Sequence, residues 1–525
     1  MWQPYHFSPE GINRIRRDSP TVADAEKDLA DYDTEIVRLE TTISALKHKR
    51  THLERYLANC RSLLSPIRRL PLEILTLVFL YLCREPIKEF GISDFDIALP
   101  AFDLSQVCAI WREVALNTPA IWSNVLFDLK KRFCFQQKIN LSHSLIRLCL
   151  ERSSQVPLNL TLSPDFDMDT DSDRYATFHE VLRPTSHRWR SLTISPHTDN
   201  IASLWSQITD LSSLESLEVA VETLELLSGS SSILCQASHL HSLHLSSFYD
   251  LIDSTDPPRP FPWAQISTLS FSWLPSDIYL PILCECPNLT NLFLWHPCGS
   301  DSEDRTDLIT LDRLNHWEFN FYWIETLNSD IFSMLTAPAL KHLTIAMSRL
   351  FARAPIDCTK SETRWPLDIF SKFAARSRFS LTTLCIDSPI AESDFLSLLR
   401  LFPDLTELDI TEPYSYHKVI TDNFLNGLHP TRLTGDSFED RSTTPCIPRL
   451  LHLSLYVHAG SPFRPETLIE MVKSRWIPDP LYSSQVGIAC LRSIKVIGDK
   501  RATEEPLTYK PLMELEKVGL RVEIL

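Results

Sequence analysis

Eleven times between residues 189 and 496 the chain spells apolar-x-x-apolar-x-apolar. The copies begin at Trp189, Leu214, Leu240, Ile266, Leu289, Leu314, Leu340, Leu381, Leu405, Leu450 and Leu491. The first seven starts are 25, 26, 26, 23, 25 and 26 residues apart, and the later gaps are 41, 24, 45 and 41. Six residues with apolar side chains at the fourth and sixth positions suit a short strand, because strand side chains alternate between faces. One such strand cannot bury its apolar face alone, so the copies must stack into one continuous core.

The segments between copies carry helical patterns, as in "LPILCECP", "DIFSMLTAP", "DFLSLLRLFP" and "PETLIEMVKSRW". Strand plus return helix at this period resembles the leucine-rich repeat, although the asparagine that usually follows the strand is missing from every copy. The three long gaps imply insertions. The expectation is an irregular leucine-rich-repeat-like α/β solenoid over residues 124–525. The closing "KPLMELEKVGLRVEIL" reads as a last helix, a stop at Gly519 and a capping strand over Leu520 to Leu525. Alternation turns Leu243 and Leu245 inward, and His241, Ser242, His244 and Ser246 outward.

Residues 1–18 read as a flexible tail and 19–64 as one long helix. Ser19-Pro20 suits a helix start. From there Val22, Ala25, Leu29, Tyr32, Ile36, Leu39, Ile43, Leu46, Leu53, Leu57, Cys60 and Leu64 fall on alternating three- and four-residue steps, broken only by Arg50. That is a coiled-coil seam. Acidic residues crowd Asp24 to Glu40 and basic ones Lys47 to Arg61. Three arrangements remain open: two copies paired antiparallel over residues 22–64, the arm folded onto an acidic body, or a single amphipathic helix lying on its own chain.

Next comes "SPIRRLPLEILTLVFLYLC", too short and too interrupted by charge to span a bilayer, which takes about 20 apolar residues. Its apolar surface exceeds what a small hairpin covers. A companion follows, "FDLSQVCAIWREVALNTPAIW", with Leu104, Val107, Cys108, Trp111, Val114 and Ala115 at helical spacing. Together the two stretches resemble an F-box, a small all-helical module, here over residues 65–123. The family pattern is Leu-Pro-x-Glu-Ile-Leu, an apolar helix, then Val-Cys-x-x-Trp and Pro-x-Leu-Trp. Leu70, Pro71, Glu73, Ile74, Leu75, Phe79, Leu82, Val107, Cys108, Trp111, Pro119 and Trp122 fit it, whereas Ala109 stands where a basic residue is common. A heptad arm, an F-box and leucine-rich strands in that order resemble a class of mushroom-type fungal F-box proteins. The resemblance implies a Skp-type adaptor as partner and, through it, a cullin ubiquitin ligase. Leu70, Pro71, Glu73, Ile74, Leu75, Phe79 and Leu82, with Val107, Cys108 and Trp111, would then contribute to the adaptor interface, some of them serving the module's own core.

The remaining composition is mostly exclusionary. Lys and Arg number 51 against 67 Asp and Glu, a net charge of −16, which disfavours a broad grip on nucleic-acid phosphate. With only 10 glycines, phosphate-cradling loops are not expected. The 13 cysteines lack paired spacing and look like reduced intracellular thiols. No signal core or membrane span is read, so the expected setting is intracellular, cytoplasmic or nuclear. "DFDMDTDSDRYATFHE" places carboxylates at calcium-loop positions but has Arg174 where the loop needs glycine. Neither the histidines of "SHLHSLHL" nor Cys284 and Cys286 have metal-site spacing. Nucleophile-elbow, zinc-protease, P-loop and dinucleotide motifs are absent.

The functional expectation is therefore a non-catalytic substrate receptor with no cofactor and no metal. The alternative is a scaffolding protein that uses its arm and repeats without any ligase. For the target protein, the middle repeats offer Ser272, Trp273, Thr290, Phe293, Trp295, His316, Glu318 and Phe321 as outward positions. Phe293, Trp295 and Phe321 form the expected centre of that patch. The competing expectation turns Trp273 and Trp295 down into the core.

Overall fold

A computed structural model describes residues 19–84, 100–128, 136–163, 180–194, 208–227, 233–247, 257–297, 308–321, 330–348, 365–412, 418–430, 446–457, 461–499, 501 and 507–525. The chain divides into two compact units, Met1–Tyr81 and Leu82–Leu525.

The first unit is dominated by one helix, Ser19–Leu64, of 46 residues. At 1.5 Å per residue it is about 69 Å long. Arg50 does not interrupt it. Its seam is exposed: Leu29 is 63 % exposed, Ile36 52 %, Ile43 50 % and Leu53 57 %. Pro66 opens a short 3-10 turn, Pro66–Arg69, and Leu70 then adopts an extended conformation. That extended residue separates the long helix from the next, Leu72–Arg84, which starts directly after Pro71 and runs across the division between the units.

Among the described residues the second unit is built on sixteen short strands. They are β1 Asn124–Asp128, β2 Leu158–Ser163, β3 Trp189–Ile194, β4 Ser216–Ala220, β5 Ser242–Ser246, β6 Thr268–Ser272, β7 Asn291–Trp295 and β8 Ile309–Thr310. There follow β9 His316–Phe321, β10 Leu335–Thr336, β11 His342–Met347, β12 Thr383–Asp387, β13 Glu407–Thr411, β14 His452–Tyr456, β15 Ser493–Ile497 and β16 Arg521–Ile524. All except β8 and β10 form a single 14-stranded sheet whose spatial order is the chain order. Every neighbour pair in it is parallel. Such a sheet requires a crossover between each two strands, and the return segments supply it. The four segments read as helical overlap the helices Ser276–Cys284, Asp330–Met334, Glu392–Leu399 and Pro465–Arg475. The unit is a leucine-rich-repeat-like α/β solenoid.

All eleven sequence copies carry a strand of this sheet, and all three apolar positions of each copy are at most 2 % exposed. The register explains this. The middle apolar position forms one unbroken ladder, from Leu192 through Leu217, Leu243, Leu269, Leu292, Trp317, Leu343, Leu384, Leu408 and Leu453 to Ile494. A one-residue slip would bring the whole set to the opposite face, so burial locks the register. In mid-sheet the ladder widens into an aromatic cluster, with Trp317 stacked on Phe332 at 4.7 Å and Phe332 against Phe370 at 4.6 Å.

Two strands precede the eleven copies. In β1, Trp122, Val125 and Phe127 follow the repeat spacing, but Trp122 also ends the F-box-like pattern. In β2 the register shifts between Leu158 and Asn159, so Leu158-x-Leu160 pairs beside Trp189-x-x-Leu192 with one spacer residue fewer. That shift hides the repeat.

Arginine side chains bonded to backbone carbonyls tie distant segments together. The Arg475 side chain, wholly buried, donates to the carbonyls of Leu428 (2.7 Å), Ile447 (3.0 Å) and Cys446 (2.6 Å). Burial pushes its pKa down to about 10. Arg376 likewise donates to Phe332 and Leu335, each at 2.7 Å, and Arg188 to Val156 at 2.7 Å. At the C-terminal end the Lys510–Glu516 helix leads through Gly519, at φ +115, into the edge strand β16.

Candidate protein-interaction surfaces

Within Leu72–Arg84 the side chains at 75, 79 and 83 form one buried stripe, with Leu75 2 %, Phe79 0 % and Cys83 5 % exposed. Residues four apart on a helix share a face. Leu75 and Phe79 are therefore core residues, with no side-chain surface left for a partner. Burial also pushes the Cys83 thiol up to about 11. The rest of the first unit's apolar pattern is open: Leu70 is 37 % exposed and Ile74 44 %, with Pro71 and Glu73 also exposed. Leu72, Leu77 and Tyr81, which the pattern did not single out, are exposed as well.

In the second unit, Leu82 is 51 % exposed. The companion stretch forms two helices, Pro100–Val107 and Ala109–Leu116, separated by Cys108 in extended conformation. Leu104, Val114 and Ala115 face the core, whereas Val107 is 60 % exposed, Ile110 53 % and Leu116 45 %. Cys108 and Trp111 are half-buried. Trp122 is 1 % exposed, edge-on to Phe102 at 5.0 Å and covered by the Arg152 guanidinium at 4.4 Å.

The outer face of the sheet is the third surface. Across it, in register, run Glu218, His244, Ser270, Phe293, Glu318, Thr344, Cys385, Asp409, Ser454, Lys495 and Glu523. Neighbouring strands knit this row together. His244 hydrogen-bonds Ser270 through Nδ1 at 2.7 Å, Phe293 lies 5.4 Å from the His316 ring, and Lys495 pairs with Glu523 at 3.1 Å. Burial lowers the pKa of His244, partly offset by Glu218, and burial with the nearby His342 lowers that of His316. Cys385 is pushed up to about 12 by burial and by the Asp409, Asp387 and Glu318 carboxylates. It is no ready nucleophile.

The aromatic patch differs from expectation at one of its three residues. Phe293 is half-buried and Trp295 39 % exposed, both on the outer face. Phe321 is wholly buried, 6.2 Å from Phe319, and is removed from the patch. The reason is alternation: Trp317, Phe319 and Phe321 are two residues apart on β9 and must share its inner face. Trp273 and Trp295 do not turn into the core. Alternation would send Trp273 inward after Phe271, but its left-handed φ of +60 breaks the alternation and leaves it 42 % exposed, 4.5 Å from His296. A bulky residue rarely takes that conformation. Nothing in the one-dimensional pattern signals it.

Among the described residues no group of three or more histidine, cysteine or acidic side chains could hold a metal, and no helix is long and apolar enough to cross a membrane. Ten described cysteines are unbridged. The calcium-loop-like run lies almost wholly outside the described residues.

No family model matches the chain, and no curated protein matches it. Among solved structures it is similar to a chain of the yeast Rad7–Elc1 complex, at 15 % identity over 77 % of this chain and 92 % of that one, with a TM-score of 0.31. A chain of the TLR13–ssRNA13 complex is similar at 12 % identity over 65 % of this chain, with a TM-score of 0.31. Only 42 % of that chain is covered. Both scores are low, and the solenoid assignment rests on the register and burial described above.

Proposed function

We propose that this chain is a non-catalytic substrate receptor: an F-box over residues 65–123 binds a Skp-type adaptor and so a cullin ubiquitin ligase, while the repeats hold a target protein. The observation that carries this reading is the apolar surface left open on the F-box-like pattern. Leu70, Pro71 and Ile74 in the first unit, and Leu82 and Val107 in the second, are the exposed members of that pattern. Large apolar side chains left exposed within each unit are what an interaction surface offers a partner. Ubiquitin transfer would be carried out by a partner enzyme, and the target would meet Phe293 and Trp295 on the outer sheet face.

The test is co-purification of the tagged full-length chain with a Skp-type adaptor and cullin. Interface anchors typically contribute about 2 kcal/mol or more, over tenfold in affinity. Leu70→Ala with Pro71→Ala is therefore expected to abolish adaptor capture while circular dichroism and melting temperature hold. Undiminished capture by the folded double variant would overturn the assignment of these residues. A wild-type chain that captures no adaptor would leave the scaffolding alternative as the better reading.

A further inference from the structure

The long helix carries a second interface, and we infer that its occupant is another copy of this chain, paired antiparallel. This inference does not rest on the adaptor reading. The helix is continuous from Ser19 to Leu64, and its apolar seam is exposed from Leu29 at 63 % to Leu57 at 49 % and Leu64 at 68 %, with Cys60 half-buried. A seam of a and d positions sustained over six heptads matches another helix with the same repeat. The choice of partner and direction comes from the charges beside it.

The residues flanking the seam in the first half are Glu26, Asp28, Asp33, Glu35 and Glu40, all carboxylates. In the second half they include Lys47, Lys49 and Arg61, with Glu54 the one acid. Parallel pairing would place Asp28 beside Asp33 and Glu35 beside Glu40 of the other copy, and would set Arg50 against itself inside the seam. Buried like charges are costly. Antiparallel pairing with Arg50 level with Tyr32 instead brings Asp33 to Lys47 and Glu35 to Lys49, twice over by symmetry. Arg50 then lies near Asp33, and its stem packs on the tyrosine. Two like-charge approaches remain. Glu26 meets Glu54, which Arg50 of its own helix holds at 3.2 Å, and Glu40 meets itself at the centre.

Sedimentation velocity of the full-length chain across a concentration range tests the inference, together with two charge variants. The wild type is expected to dimerise reversibly. Asp33→Lys with Glu35→Lys turns four attractive contacts repulsive in the antiparallel pair, weakening dimerisation by about tenfold or more. Adding Lys47→Glu and Lys49→Glu to the same chain is expected to restore it. In a parallel pair the first variant would face Asp28 and Glu40 and strengthen the dimer. That outcome, or a wild type monomeric throughout the range, overturns the proposal. All four positions lie on the helix surface, and unchanged helical content by circular dichroism confirms that only pairing is read.

Discussion

The indole N–H of Trp122 donates to the carbonyl oxygen of Ala115 at 2.7 Å, joining the end of the Ala109–Leu116 helix to the foot of the first strand of the sheet. The same side chain closes the F-box-like pattern and occupies the first apolar position of a repeat. Within the second unit, the helix pair and the solenoid share a core residue. Trp122→Ala is expected to cost about 3–5 kcal/mol. Trp122→Phe keeps most of the packing and loses the hydrogen bond, about 1 kcal/mol. Hydrogen exchange should show protection falling together in Pro100–Leu116 and in β1. Loss confined to the helices would separate the two.

Phe321 and Trp295 should respond to truncation by very different amounts. Phe321→Ala leaves a cavity in the inner face and is expected to lower stability by about 3–5 kcal/mol. Trp295→Ala removes a side chain already 39 % exposed and should cost under about 1 kcal/mol. Urea denaturation of the two variants reads the difference directly. Pulldown with Trp295→Ala and Phe293→Ala, at unchanged melting temperature and adaptor capture, reports whether the patch holds the target.

Arg475 ties Leu428, on one side of residues 431–445, to Cys446 and Ile447 on the other. Arg475→Met keeps the volume but leaves three carbonyls without their donor, a loss of about 3 kcal/mol. Arg475→Lys should rescue little of it, because an ammonium cannot reproduce the planar fork that serves three acceptors. The urea midpoints of the two variants check both statements.

Acid should loosen the C-terminal end through Asp499. Burial pushes its carboxyl up, but hydrogen bonds from Arg501, at 2.9 Å, and from Tyr509, with the Arg501 charge, outweigh burial and hold it below the usual carboxylate range. Its folded pKa thus lies below its unfolded one. The resulting stability is complete above the ordinary value near 4 and disappears as pH falls through the folded pKa. Asp499→Asn should be less stable at pH 7 and lose less between pH 5 and 3. A parallel drop in both proteins would exclude Asp499 as the acid-sensitive group.

What the sequence determined by itself is the repetitive part. Leucines at a fixed offset, recurring mostly every 23 to 26 residues, can be buried only by stacking, so eleven strands, the inward residues at their fourth and sixth positions and four helical returns were legible, whereas Phe321, two residues further along its strand, was placed on the wrong face. The long helix was legible for the same reason, since periodicity is a local property of the chain. Departures from periodicity were decided by the tertiary structure. The shifted register at Leu158 hid one strand, and Trp122 hid another by belonging to two patterns at once. Burial of Leu75 and Phe79, as against exposure of Leu72 and Leu77, depends on which helix face meets a core. Trp273 is exposed because one left-handed residue reversed the alternation. Arg475 is buried because three backbone carbonyls, up to 47 residues away, converge on its guanidinium. Such contacts join residues distant in sequence, and no local spacing encodes them.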